Sequence, residues 1–153
     1  MVRALLGREG VDPDMPGILD QTPLRCAAEE GHDGVVEILL GRGDVSPDKQ
    51  GRLGKTPLCF AAQTGHQGMV KILLGRGEVN SEKGCFLGKT PLCYAAESGH
   101  EGVVKVLPGQ DEVNPNNPYN FGETPLSWAV SRGHTTVIAL LRPVAPAATT
   151  IYG

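Results

Sequence analysis

Gly88-Lys89-Thr90-Pro91-Leu92-Cys93-Tyr94-Ala95-Ala96-Glu97-Ser98-Gly99-His100 decides the architecture, because versions of it occur four times. Thr-Pro-Leu starts at Thr22, Thr56, Thr90 and Thr124, an interval of 34 residues each time. Gly-His follows in the same register at Gly31-His32, Gly65-His66, Gly99-His100 and Gly133-His134. A fixed period of this size is the mark of a stacked array. Thr90 is placed to cap a helix, with Pro91 at the first helical position, where a missing N–H costs nothing. Leu92, Ala95 and Ala96 then share one face, and the small alanines let another helix come close. Gly99 ends the helix in a left-handed cap, and Val103, Val104, Val106 and Leu107 supply the apolar side of a second short helix. Helices shorter than roughly 12–15 residues do not persist alone in water. Each pair must therefore bury itself against the next.

The period does not separate ankyrin from tetratricopeptide arrays, since both run near this length. The Gly/Asp/Pro/Asn-rich connection between helix pairs, for example residues 75–89, does separate them. The chain resembles the ankyrin repeat, whose Thr-Pro-Leu-His-x-Ala hallmark reads here as Thr-Pro-Leu-x-x-Ala in all four copies. The expected fold is an all-α repeat, an ankyrin-type α-solenoid of helix-turn-helix units joined by hairpin-like loops. The expected divisions are the second helix of a truncated repeat at 1–10, repeats at 11–44, 45–78, 79–112 and 113–142, and a tail at 143–153. Residues 2–8 align with the second helix around Val36 and Leu39, which suggests a piece of a longer array. The Gly-His-x-Gly-Val-Val wording looks most like fungal arrays, some of which follow a nucleotide-binding switch domain.

Departures from the family pattern carry their own expectations. Arg25, Cys59, Cys93 and Ser127 replace the hallmark His, so its hydrogen bond to the Thr is expected to be missing. Gly17, Gly51, Cys85 and Tyr119 replace the usual Asp at the hairpin start, which suggests looser tips. Gly54, Gly88 and Gly122 mark positions suited to positive φ, whereas Asp20 fills that place in the first copy. Pro108 should shorten the helix before it. Val130, Thr135 and Thr136 give the fourth copy the look of a C-terminal cap.

Composition narrows the functional classes. Net charge is −3, with acids and bases interleaved, and no clustered basic face suggests nucleic acid. No apolar run is long enough to span a membrane. With no secretory signal pattern and no glycosylation triplet, the reading is an intracellular, cytoplasmic chain that is monomeric or associates end to end. The histidines recur one repeat apart, about 8–10 Å, too far to share an ion at about 2.1 Å bond lengths. The resemblance instead implies that each His ties the turn between helices. Cys26, Cys59, Cys85 and Cys93 form no C-x-x-C pair and read as small buried thiols. The glycines before Lys55-Thr56 and Lys89-Thr90 miss phosphate-loop spacing, and Pro57 and Pro91 remove the needed N–H. No catalytic residue, metal ligand or cofactor is assigned.

The resemblance implies binding of another protein through a concave face built from hairpin tips and first helices. By register its residues are Leu19, Arg52, Leu53, Lys55, Phe86, Leu87, Lys89, Asn120, Phe121, Glu123 and Arg132. Leu19, Leu53, Leu87 and Phe121 would form an apolar row, either a contact surface or simply packing between hairpins. Cys26, Phe60, Tyr94 and Trp128 share another register position suited to packing between repeats. The alternative function is a structural element stacking end to end, or the recognition tail of a larger nucleotide-binding switch protein.

Overall fold

The Thr-Pro step starts a helix at each of its four occurrences. The computed structural model describes residues 12–17, 21–107 and 122–142, and of Arg52 the backbone alone. Within these, α1 (Pro23–Glu30) and α2 (Asp33–Leu40) form the first pair. A 3-10 turn at Arg52–Gly54 precedes α3 (Pro57–Thr64) and α4 (Gln67–Leu74). The third pair is α5 (Pro91–Ser98) and α6 (Glu101–Val106), and the fourth is α7 (Pro125–Arg132) and α8 (Thr135–Leu141). Leu19, Asp20, Pro108, Tyr119, Asn120 and Phe121, with the expected first helix at 1–10 and the tail at 143–153, lie outside the described residues.

Thr22, Thr56, Thr90 and Thr124 each accept the N–H three residues on, and a proline follows each one. Gly31, Gly65, Gly99 and Gly133 close the first helices at φ of 73, 82, 77 and 75°. The first helices α1, α3, α5 and α7 lie side by side in one row, and α2, α4, α6 and α8 in a second. Packing is closer in the first row, because Ala28, Ala61, Ala62, Ala95, Ala96 and Ala129 present almost no side chain there and are fully buried. Between the rows runs one elongated core that includes Leu24, Leu58, Met69, Leu73, Leu92, Val103, Val104 and Val137. α6 has 6 residues against 8 in α2 and α4, in keeping with a proline just beyond it.

His66, His100 and His134 do tie turns, but to the neighbouring unit. His66 Nε2 lies 3.1 Å from the Glu29 carbonyl, His100 Nε2 3.0 Å from that of Gln63, and His134 Nε2 2.9 Å from that of Glu97. A carbonyl only accepts, so each ring carries its proton on Nε2. The same rings press on the capping glycine of the preceding unit: a Cβ at Gly65 would stand 2.6 Å from His100 Nδ1.

The hydrogen bond expected to be missing at the hallmark position is replaced. The Thr56 and Thr90 hydroxyls donate to the Cys59 and Cys93 sulfurs at 3.3 and 3.4 Å, and Ser127 completes a capping box with Thr124. Nor are the described hairpins left open at their altered first residue. Gly51 N–H donates to the Lys55 carbonyl at 3.1 Å and Cys85 N–H to that of Lys89 at 3.0 Å.

The loops are stitched by a joint that repeats with the period. The Asp14 carboxylate accepts the Ser46 N–H at 2.9 Å while Lys49 Nζ donates to the Asp14 carbonyl at 2.8 Å. One unit on, Asp48 accepts the Asn80 N–H at 2.8 Å and Lys83 donates to the Asp48 carbonyl at 3.0 Å.

Candidate functional site

Two hairpin tips stand beyond the row of first helices and carry the large exposed apolar residues of the middle units. Gly54 and Gly88 turn the chain at φ of 74 and 78°, as their register suggests. Leu53 also adopts a left-handed φ of 67° and is the one described non-glycine residue to do so, a conformation that costs about 1–2 kcal/mol. Phe86 N–H donates to the Leu53 carbonyl at 3.1 Å, linking the two tips. The Phe86 ring lies over Gly54, where an added Cβ would meet it at 2.4 Å. Leu53, Phe86 and Leu87 nevertheless remain 66, 71 and 58% exposed. Backbone bonds and the Phe86–Gly54 contact join these hairpins, so the leucines are not consumed in packing them together.

Below the tips, the register position of Phe60, Tyr94 and Trp128 forms a column with cations between the rings. The Arg25 guanidinium sits 4.2 Å from the Phe60 ring centre. Lys55 Nζ lies 5.2 Å from Phe60 and 4.4 Å from Tyr94, and Lys89 Nζ lies 4.8 Å from Tyr94 and 4.1 Å from Trp128. The Arg132 guanidinium closes the series 5.7 Å from Trp128. Ammonium and guanidinium groups this close to ring faces are attracted by the ring quadrupole. Single-position reading misses this column, because its rings come from the helices and two of its cations from the hairpins. The signal available was the joint recurrence of Lys55-Thr56 with Phe60 and of Lys89-Thr90 with Tyr94.

Carboxylates partner most of these cations. Glu29 reaches Arg25 at 3.4 Å, while Glu97 holds Lys89 and, at 3.0 Å, Arg132. Burial alone would raise the Glu97 pKa, but the hydrogen bonds and charges of Lys89 and Arg132 outweigh it and hold the carboxyl below its ordinary range. Lys55 instead donates to the Gln63 amide oxygen at 2.7 Å, and partial burial lowers its pKa. Burial likewise raises the Tyr94 phenol, helped by its hydrogen bond to Cys85. For Cys85 burial acts upward too, yet the Tyr94 hydroxyl, two backbone N–H groups and Lys55 bring the thiol below its usual value. Burial raises Cys59 and Cys93.

The structure thus brings together Leu53, Lys55, Phe86, Leu87, Lys89 and Arg132 of the expected surface. Glu123 is exposed just before α7. Leu19, Asn120, Phe121 and the Arg52 side chain lie outside the described residues. All four cysteines are unpaired, with Cys26 half-buried and the others buried. Among the described residues no three of His, Cys, Asp and Glu gather around a point that could hold a metal ion. No described helix is long and apolar enough to cross a membrane.

Comparison with family models finds ankyrin repeats, in a three-copy form, over residues 1–83, 42–117 and 77–149. Comparison with curated proteins finds no match.

Proposed function

Because the chain belongs to the ankyrin-repeat family, whose members generally bind other proteins and are typically non-enzymatic, we propose that it is a non-catalytic module that grips a partner protein across its hairpin tips and first-helix side. The observation that carries this reading is the set of exposed Leu53, Phe86 and Leu87 on consecutive, mutually bonded tips. Large apolar side chains clustered in water mark interaction surfaces. The strained backbone of Leu53 fits the same role, since strain of this kind collects at contact sites. A surface already held by its own hydrogen bonds loses little freedom on association. Lys55, Lys89, Arg132 and Glu123 supply the polar part of that surface, and by sequence register Leu19, Arg52, Asn120 and Phe121 are assigned to it as well. The four unpaired thiols suit a reducing, cytoplasmic setting.

The triple variant Leu53→Ser, Phe86→Ser, Leu87→Ser tests the surface. Helical circular dichroism should match the wild type, while proteins captured from the chain's own cells should be lost. A control with Lys71→Ala and Lys105→Ala, both exposed on second helices, should retain them. A capture profile that survives the triple substitution removes the proposal.

A further inference from the structure

Among the described residues, Lys55 is the one cation of the first-helix wall that no carboxylate pairs with directly. Glu29, Gln63 and Glu97 occupy one register position in successive units. Glu29 pairs with Arg25, and Glu97 pairs with both Lys89 and Arg132. In the second unit the residue is Gln63, and its neutral amide takes one of the three N–H donors of Lys55. Lys55 makes no ion pair among the described residues. Its flanks are held by the faces of Phe60 and Tyr94, so the charge is fixed in place rather than free to swing. Two residues before it stands exposed Leu53, whose carbonyl accepts from Phe86 at the next tip.

Resting on the binding reading above, we infer that the partner presents an acidic segment: a carboxylate that pairs with Lys55, beside apolar side chains that seat on Leu53, Phe86 and Leu87. A carboxylate supplies the charge that Glu29 and Glu97 supply in the flanking units. Partial burial works against the bare ammonium, and an arriving anion reverses that penalty. A polyanion fits less well, because Glu29 and Glu97 border Lys55 on both sides in the register and the chain is net negative at −3. One carboxylate among apolar neighbours fills that gap and brings less negative charge against those acids than a polyanion does.

A random 12-residue peptide library displayed on phage, selected against the full chain, reads the preference directly. Wild-type selections should enrich Asp or Glu next to large apolar residues. Gln63→Glu, which supplies the missing carboxylate from inside, should erase the acidic preference and keep the apolar one. Lys55→Met, which keeps the stem between the rings, should do the same. The best wild-type peptide should bind each variant about tenfold more weakly, and its affinity should fall with added salt. Apolar enrichment alone on all three proteins would overturn the acidic partner and leave the binding surface standing. Peptides whose capture is indifferent to the Leu53, Phe86, Leu87 triple substitution would overturn both. Tighter binding of a dT20 oligonucleotide than of any selected peptide would also overturn it, in favour of a polyanion.

Discussion

Two glycines with almost the same backbone show what one histidine ring adds. Gly65 at φ 82° lies under the ring of His100, whereas Gly133 at φ 75° has no described residue within 4 Å of a Cβ. Gly133→Ala should cost only the left-handed strain, about 1–2 kcal/mol. Gly65→Ala must also push the His100 ring from its bond to the Gln63 carbonyl, roughly 1–3 kcal/mol more. Urea denaturation of the two variants checks this, and equal losses would mean the ring contact contributes nothing. At this scale the sequence was readable wherever a residue acts on its own neighbours, as with the four Thr caps and the Gly stops. It was unreadable where a side chain reaches across units. The His100 ring finds its acceptor 37 residues back, and the Thr56 hydroxyl found a sulfur in place of the absent His.

Between elements, Glu97 is the busiest single link. It sits on α5, holds Lys89 of the hairpin before its own helix and reaches Arg132 on α7. Glu97→Gln should therefore lower stability by roughly 1.5–3 kcal/mol at pH 7, the range for hydrogen bonds to charged groups. Its folded pKa lies below its unfolded value, so the contribution is present above the ordinary carboxylate pKa of about 4.3. It fades as pH falls through the lowered folded value. Chemical denaturation of both proteins at pH 7 and at successively lower pH should show the gap closing below about pH 4, and a gap constant with pH would refute the ion-pair account. Hairpin turns were legible from Gly54 and Gly88. The cation–ring column was not, since its order arises only when Lys55 and Lys89 on loops interleave with Phe60, Tyr94 and Trp128 on helices.

Among the described helices the extensive contacts run between adjacent units, so stability adds up along a line. Leu92, 1% exposed in the third unit, tests this. Leu92→Ala should cost about 2–5 kcal/mol, broaden the urea transition, and speed amide hydrogen exchange in α5 and α6 more than in α1 and α2. A transition that stays sharp, with exchange quickened evenly throughout, would show the array melting as a block. The fold was legible because a 34-residue period repeats its own instructions. The partner was not, because the surface residues that vary between copies obey no period. The loop joints carry that modularity further. Asp14 meets Ser46 and Lys49, and Asp48 meets Asn80 and Lys83, through the same pair of bonds. Excising residues 45–78 would bring Asp14 face to face with Asn80 and Lys83, a match already proven one step along the chain, and would set Arg25 against Tyr94 instead of Phe60. The segment between these two joints thus carries the plug for one neighbour and the socket for the other, so it can be shed as a cassette without a new seam having to be invented.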